Sequence, residues 1–497
     1  MPKMKHILLA ASVLCAVAGP AAAKDTLTVG MVLEPPILDP TAGAASAIRE
    51  VTYANIYEGL TRIDAEGEVR SALAESWSVS KDGLTYTFKL IGGVKFHDGT
   101  PFDCSIVKFS YGRAMAPDSV NAQKQLFEPI ASVECPDTYT AVIKLKRPTA
   151  LFLFDMAWGD AVMVSPKSYP DAATDLNKTN PVGTGPFRFR EWVKGDHVTM
   201  ERNPEYWGSR PQLKSVTFKF VADPSAATAA VLAGDIDAFP LFPAPEAIDQ
   251  FKADARFHVN IGTTEGKTIV ALNNTRKPFD DVRVRRALTY AIDRQALIDA
   301  AQSGYGKPIG SHYVPTDPGY VDLTGVYPYD PAKAKALLAE AGVKPGTQIT
   351  IMLPPPPYAR RGGEVIADMW GKVGIKTKLV PIEWAQWLDQ VFKRTDYDAT
   401  IISHTEARDL DIYARDKYYF NYHSDAYKAL YQKFVEAVEP KAQLDLVGEL
   451  QRKLAEDEPN VFLFALAKVG VWNAKLRGMW DNQPVPANDV THVSWGD

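Results

Sequence analysis

The sequence predicts a mixed α/β protein that is built from two lobes. Strand, helix and strand follow one another at βαβ spacing over residues 215–237 and again over residues 348–380. Such a unit needs a parallel sheet covered by its crossover helix. The chain of 497 residues is long enough for two or more domains of roughly 100–200 residues each, so two such units indicate two α/β lobes.

In the first half of the chain, turn signals separate short alternating runs. Asp82-Gly83 between two such runs predicts a hairpin, and Asp103 or Ser105 can cap a helix. Gly183-Thr184-Gly185-Pro186 predicts a rigid turn, in which glycine permits a positive φ and proline fixes the next one. The expected elements are strands at 24–32, 77–79, 85–90, 187–192, 197–201 and 215–220, a pair of strands within 133–145, and helices at 47–57, 103–113 and 224–232.

In the second half, apolar strands alternate with amphipathic helices. The longest helical pattern runs over residues 280–301, where apolar residues recur on one face. Arg283, Arg285 and Arg286 on this helix could bind an anion, but an ion-paired or solvated face is the commoner outcome. The other expected elements are strands at 267–273, 348–353, 373–380, 397–402, 465–472 and 478–497, and helices at 330–341 and 358–372, with one more around Trp384 and Trp387.

The N-terminal residues 1–23 have the features of a cleaved signal peptide. Lys3 and Lys5 provide a positive start, residues 7–18 form an apolar run too short to span a bilayer, and Ala21-Ala22-Ala23 is an A-x-A cleavage site. We therefore expect export to the periplasm of a Gram-negative type cell. No later stretch of the sequence is apolar enough to cross a membrane.

The chain has three cysteines, and two of them remain after cleavage. Cys15 raises the alternative of a lipoprotein, but Leu14 stands where a lipoprotein signal has a small residue. In an oxidising compartment, the pair Cys104 and Cys135 predicts a disulfide; two buried thiols are the alternative.

Composition and motifs exclude several functions. The net charge of −5 gives no basic patch for a nucleic acid. No nucleophile elbow, H-E-x-x-H helix or Walker loop is present, so we expect neither an enzyme nor a cofactor. His97 and Asp98 could suggest a metal site, but no second pair of ligands lies near them in the sequence, and a turn explains them better. We also expect a monomer.

The run from Ser403 to Tyr413 is the strongest candidate for a binding site. It places charged and hydrogen-bonding groups directly after a buried strand, at the end where α/β sheets bind ligands. Several aromatic residues follow, which suits a pocket for a charged organic solute. A polar loop with internal ion pairs is the alternative. Trp158, next to Gly159, could also face a ligand or belong to the core.

Three blocks of sequence resemble one known family. They are G-T-G-P-F followed by R-N-P-E-Y-W within residues 183–207, K-F-H-D-G-T-P at residues 95–101, and N-N-T-R-K-P-F-D-D-V-R-V-R-R-A-L at residues 273–288. Together they resemble family 5 solute-binding proteins, the extracytoplasmic receptors of ABC importers. The resemblance implies the large periplasmic-binding-protein fold, with an insert in the first lobe and a ligand cleft between the two lobes.

The resemblance also implies a domain order. The expected parts are a signal peptide at 1–23, lobe I part a at 24–57, an insert subdomain at 58–180, lobe I part b at 181–268, lobe II at 269–478, and a return to lobe I at 479–497.

The resemblance further implies ligand-binding residues. In dipeptide-binding members an arginine of an A-R-R segment pairs with the ligand carboxylate, which places this role on Arg360 or Arg361. An acidic residue after the later strand holds the ligand ammonium, which places that role on Glu406. His404 and Arg408 depart from the family pattern. The full set of expected ligand contacts is Trp158, Tyr358, Arg360, Arg361, Trp384, Trp387, His404, Glu406, Arg408 and Asp409.

These expectations define a function. The chain would be the periplasmic substrate-binding protein of an ABC importer, which captures a peptide or peptide-like charged solute by hinge closure and delivers it to the inner-membrane permease. A receptor for an opine, a metal chelate or an oligosaccharide is the first alternative. A secreted hydrolase is the second.

Overall fold

The computed structural model describes residues 24–171 and 173–496. The predicted signal peptide, including Cys15, lies outside the described residues. The strands are β1 Thr26–Met31, β2 Thr61–Ile63, β3 Val69–Ser71, β4 Ala74–Val79, β5 Thr85–Leu90, β6 Ile130–Asp137, β7 Thr140–Leu145, β8 Phe187–Val193, β9 His197–Arg202, β10 Ser215–Phe220, β11 Ala238–Phe239, β12 Phe257–Leu272, β13 Gly306–Pro308, β14 Gln348–Leu353, β15 Lys376–Pro381, β16 Ala399–His404, β17 Asn460–Asn473, β18 Leu476–Arg477 and β19 Ser494–Trp495.

The helices cover the faces of the sheets. They are α1 Ser46–Thr52, α2 Cys104–Met115, α3 Phe152–Asp155, α4 Pro224–Ala233, α5 Ile248–Lys252, α6 Val282–Tyr290, α7 Arg294–Gln302, α8 Pro331–Glu340, α9 Pro357–Lys372, α10 Trp384–Gln386, α11 Asp425–Glu436 and α12 Pro440–Asp457. A π-helical segment, Trp387–Lys393, continues α10. Among the described helices, none combines the length and the apolar character that a bilayer crossing requires.

One large sheet runs through both lobes. Its strands follow the order β15-β14-β16-β12-β17-β11-β1-β10-β9-β8, and β13 pairs with β17. At one end β1 pairs in parallel with β10 and β11, and at the other β14 pairs in parallel with β15 and β16. We call the β1 end lobe I and the β14 end lobe II. The mixed α/β class predicted from the sequence is confirmed.

Strands β12 and β17 form the connection between the lobes. Thr263 and the residues before it pair with the β17 segment of lobe I, and Lys267 and the residues after it pair with the β17 segment of lobe II. The register shifts between Thr263 and Lys267, and such a bulge bends a strand. We call β12 and β17 the hinge strands. The boundary predicted between residues 268 and 269 falls inside β12, close to this bulge.

Lobe I carries a second sheet with the strand order β4-β5-β7-β6, packed against α2. Asp103 caps α2 by accepting a hydrogen bond from the amide of Ser105. Cys104 at the start of α2 is bonded to Cys135 on β6, with 5.7 Å between their Cα atoms. The disulfide therefore joins the helix to the edge strand of this sheet.

The Gly-rich turn before β8 serves a close approach of two backbones. Neither Gly183 nor Gly185 has a positive φ, so that part of the expectation is wrong. A Cβ atom at Gly183 would lie 1.9 Å from the carbonyl oxygen of Ile56, and one at Gly185 would lie 2.5 Å from that of Asn55. The glycines are needed because any side chain would collide with this neighbouring segment.

The aromatic end of the same stretch surrounds a buried carboxyl group. Thr184, Tyr206 and Trp207 all donate side-chain hydrogen bonds to Glu58, at 2.8 to 2.9 Å. Burial raises the pKa of Glu58 to about 7. These residues of the family-like block thus attach the turn before β8 to the segment that contains Glu58. None of them lines the cavity described below.

Several predicted elements differ from the observed ones. The helix expected at 280–301 is two helices, α6 and α7, because Asp293 accepts a hydrogen bond from the amide of Ala296 and starts a new one. Helix α1 ends at Thr52 rather than Tyr57. Of the C-terminal strand expected at 478–497, only the two residues of β19 are observed as a strand. There Trp495 donates a hydrogen bond to the carbonyl of Thr26 on β1.

Candidate functional site

A cavity of about 1160 Å³ lies between the two lobes. Its lining residues fall within 122–129 and 147–158 on the lobe I side, and within 387–392, 402–419 and 428–435 on the lobe II side. We call it the interlobe chamber. Its volume exceeds the roughly 300–1,000 Å³ of typical small-molecule pockets, so the chamber can hold a solute as large as a drug-sized molecule or larger.

The loop that follows β16 supplies the polar wall of the chamber. Strand β16 is buried between β14 and β12 and ends at His404. The parallel pairing of β14 and β16 brings their carboxyl ends to one edge of the sheet, where α/β proteins place ligands. The chain then turns through Glu406, Arg408 and Asp409 into a short 3₁₀ turn, Leu410–Tyr413.

Beneath this loop lies a buried charge network centred on Asp409. Its carboxylate lies 3.0 Å from the Lys267 ammonium and 3.1 Å from the His312 Nε2 atom. The Lys267 ammonium also donates a hydrogen bond to the carbonyl of Glu406. Burial by itself would raise the pKa of Asp409, but Lys267 and His312 hold it well below its usual range. The network fixes the β16 loop onto hinge strand β12.

The two histidines of this network are oriented by tyrosines. His312 Nδ1 pairs with the Tyr413 hydroxyl at 3.0 Å, and His404 Nε2 pairs with the Tyr419 hydroxyl at 2.9 Å. Burial lowers the pKa of His312 to about 4, so this imidazole is neutral at physiological pH.

His312, His404 and Asp409 form a group whose ligand atoms lie within 4.8 Å of one another and could hold a metal ion. However, the Lys267 ammonium lies 3.0 Å from the same Asp409 carboxylate, and its positive charge opposes a second cation there. The arrangement therefore fits a hydrogen-bonded charge network better than a metal centre.

A second buried cluster lies at the bulge of β12 and reaches across to lobe I. Arg408 Nε lies 3.4 Å from Asp317, and Arg408 Nη2 donates a 2.9 Å hydrogen bond to the carbonyl of Gly67 in lobe I. Its guanidinium also lies 3.9 Å from the ring centre of Phe154, again in lobe I. Burial, followed by the Asp317 charge, raises the pKa of Glu265 well above its usual range. Arg408 is thus a contact between the lobes as well as a chamber residue.

Six of the ten predicted ligand contacts line the chamber: Trp158, Trp387, His404, Glu406, Arg408 and Asp409. Trp387 is held in place by its indole N–H, which donates to the Thr400 hydroxyl at 3.0 Å. Of the two acidic residues among these six, Glu406 is the more exposed, with 55% of its side chain accessible against 7% for Asp409.

The other four, Tyr358, Arg360, Arg361 and Trp384, are not among the lining residues. Arg360 is paired with Glu383 at 3.1 Å, and Arg361 is exposed on α9. Tyr358 packs on the lobe II core, and Trp384 is largely exposed. A role for these residues in binding stays a prediction.

Sequence reasoning missed several residues of the chamber and its support. Arg147, Asp155, Asp411 and Arg415 line the chamber, while Lys267 and His312 support it from hinge strand β12 and the segment after β13. One signal was present for Asp155, which interrupts a strongly apolar run. No sequence signal indicated the pairing of Lys267 with Asp409, because the two residues are far apart in the chain.

Two α/β lobes joined by crossing strands, with a charged chamber between them, define an extracellular solute-binding protein. A family comparison agrees: residues 68–425 match the model of the bacterial extracellular solute-binding proteins, family 5. The chain belongs to this family, and the resemblance noted in the sequence is confirmed.

Individual relatives support the assignment. The chain is 36% identical over 355 residues to the dipeptide-binding protein of Escherichia coli (strain K12), covering 65% of each protein. It is 37% identical over 356 residues to a glutathione-binding protein of Pectobacterium atrosepticum, covering 71% of this chain and 68% of that one. The match thus spans about two thirds of the curated relatives' length.

A solved structure covers more of the fold. The periplasmic binding protein DppA from Helicobacter pylori, in complex with the peptide STSA, superposes with a TM-score of 0.81 at 25% identity, over 96% of this chain and 99% of that one. Proteins of this family are extracellular solute-binding proteins, and the DppA structure is that of an ABC transporter-associated periplasmic binding protein.

Proposed function

We propose that this protein is the periplasmic substrate-binding protein of an ABC importer and that it captures a peptide or peptide-like charged solute in the interlobe chamber. The observation that carries the proposal is the chamber itself, a cavity of about 1160 Å³ with charged and aromatic walls contributed by both lobes. A site shared between two lobes on a bent pair of hinge strands can open to admit a solute and close over it.

The mechanism follows from this geometry. Closure removes water from the chamber, so each charge pair between protein and solute strengthens as the surrounding dielectric falls. The solute shifts the population from open to closed forms because it contacts both lobes only in the closed one. The permease then receives the closed complex. The signal peptide at 1–23 would be removed during export, and the exported chain would act as a monomer without catalysing a reaction.

A peptide is favoured because the named relatives bind a dipeptide, glutathione and the peptide STSA. Glu406 is the residue proposed for a ligand ammonium, since it projects from the β16 loop without a close ion-pair partner among the described residues; its nearest one, His404, is 4.0 Å away. A non-peptide solute such as an opine, a metal chelate or an oligosaccharide is the alternative.

Mass spectrometry of the solute that co-purifies with the protein tests this proposal. A retained peptide-like solute that stays unchanged on incubation is the expected result. A solute that is steadily hydrolysed would overturn the proposal in favour of a secreted hydrolase, and an opine, chelate or sugar would select the alternative.

Glu406→Gln is expected to weaken binding of the co-purified solute by roughly 10-fold or more in calorimetry, because a charged hydrogen bond is lost without a change of shape. The second variant is Arg361→Gln. If Arg361 pairs with the ligand carboxylate, as the family resemblance implies, this variant should lose a similar factor in affinity for the solute. A loss in Glu406→Gln alone would place the carboxylate partner elsewhere in the chamber, where Arg147 has no ion pair with a described residue. Unchanged affinity in both variants would contradict the site assignment.

A further inference from the structure

Asp155 is a carboxyl group that the fold leaves without a partner. It is the last residue of α3, is half-buried, and lines the interlobe chamber from the lobe I side. Its side chain has no hydrogen bond and no ion pair with any residue in 24–171 or 173–496. Its neighbours Phe154 and Met156 are buried and apolar. A carboxylate in such surroundings is costly unless something pairs with it.

Asp160, five residues further on, provides a comparison, because it is an aspartate of the same segment that is paired within the fold. Asp160 is buried and accepts hydrogen bonds from two guanidinium nitrogens of Arg49, one at 2.8 Å. Both aspartates interrupt the apolar run at residues 151–164, yet among the described residues only Asp160 is in contact with a counter-charge. The difference indicates that the counter-charge of Asp155 comes from elsewhere.

Three of the four arginine and lysine residues that line the chamber are committed to other groups, and the fourth, Arg147, has no ion pair with Asp155 or with any other described residue. Arg408 is turned toward Asp317 and Gly67, Arg415 pairs with Asp411 at 2.6 Å, and Lys428 pairs with Asp416 at 2.6 Å. Arg415 therefore neutralises Asp411 rather than Asp155.

Burial, more than the surrounding charges, disfavours the ionised form of Asp155. Burial and then the charge of Asp411 raise the pKa of Asp155 to about 8, and Arg408 opposes this rise only in part. The other titratable groups whose charges interact with it are Tyr86 on β5 and Tyr431 on α11, which stay neutral because burial raises the pKa of each. Asp155 is therefore a carboxyl group that a nearby positive charge would ionise.

We propose that Asp155 binds a cationic nitrogen of the captured solute, so that the chamber selects solutes with an ammonium or guanidinium group over neutral solutes of the same shape. This inference rests on the proposed function and specifies its substrate class. With Asp155 on lobe I and Glu406 on lobe II, unpaired carboxylates face the chamber from both lobes. A basic peptide can present its α-ammonium to Glu406 and its side-chain cation to Asp155.

Proton linkage gives a distinctive signature. The pKa of Asp155 is raised to about 8 without a solute, and a bound cation lowers it. At pH 7 the carboxyl group is mainly protonated beforehand, so binding of a cation releases a proton. The affinity for a cationic solute therefore rises with pH up to about 8.

The test uses two tripeptides that differ only in charge, alanyl-lysyl-alanine and alanyl-norleucyl-alanine, with agmatine as a cation that is not a peptide. Calorimetry at pH 7 in two buffers of different ionisation enthalpy measures both affinity and proton release. The variants are Asp155→Asn and, as a matched control, Asp118→Asn, which removes the same charge from an exposed position outside the chamber.

We expect the wild-type protein and Asp118→Asn to bind the lysyl peptide at least about 10-fold more tightly than the norleucyl peptide, with release of a proton. Asp155→Asn should lose both the preference and the proton release. A preference that survives in Asp155→Asn, or equal binding of the two peptides to the wild-type protein, overturns the role of Asp155 while leaving a peptide receptor intact. Agmatine binding that depends on Asp155, without binding of either peptide, supports the role and overturns the peptide proposal. Binding of none of the three overturns both.

Discussion

Replacing Lys267 with methionine is expected to lower the free energy of unfolding by about 3–5 kcal/mol, because the change leaves the Asp409 carboxylate buried without its closest cation. The Lys267 side chain is fully buried and that of Asp409 is 7% exposed, so water cannot replace the lost partner. Urea unfolding followed by circular dichroism measures the difference.

The control for this variant is Lys441→Met. Lys441 also pairs with an aspartate, Asp445, at 2.6 Å, but 87% of its side chain is exposed. Exposed pairs contribute about 0–1 kcal/mol, so the control should unfold almost like the wild-type protein. If both lysine variants unfold at the same urea concentration, the network around Asp409 does not stabilise the β16 loop as described.

Arg408→Met is expected to weaken binding of the co-purified solute by roughly 10- to 100-fold, a range typical of coupling between a conformational equilibrium and a ligand. Arg408 joins the lobes through the carbonyl of Gly67 and the ring of Phe154. Without these contacts the closed form loses stability relative to the open one, and the solute must supply the difference. Calorimetry measures the affinity.

Arg394→Met is the control for Arg408. Arg394 pairs with Asp389 at 2.8 Å within lobe II and does not line the chamber. It should bind the solute as the wild-type protein does. Equal affinity in Arg408→Met and the control would show that the contact between the lobes does not contribute to closure.

The sequence predicts the regular strands of the βαβ units well. Strands at 215–220 and 348–353 are observed with those bounds, because alternation and βαβ spacing are local signals. The first half of β12 and the helices α11 and α12 were missed. The polar run around Thr263 and Glu265 does not resemble a strand, and its pairing with β17 depends on residues about 200 positions away.

The position of the site is predicted from the sequence, but its composition is predicted only in part, since six of the ten expected contacts line the chamber. The rule that ligands bind at the carboxyl ends of parallel strands places Glu406 and Asp409 at the chamber. Their buried partners, Lys267 and His312, come from distant segments, and no periodicity marks them. Asp155 was visible only as a polar residue in an apolar run. Its lack of a partner is a property of the folded chain.

The most direct test of whether the two lobes close around a bound solute is small-angle X-ray scattering. The protein is measured without solute and with the co-purified solute at saturation. We expect a smaller radius of gyration with the solute, because the open form is more extended, and a smaller decrease in Arg408→Met. Identical scattering profiles with and without bound solute would contradict this expectation.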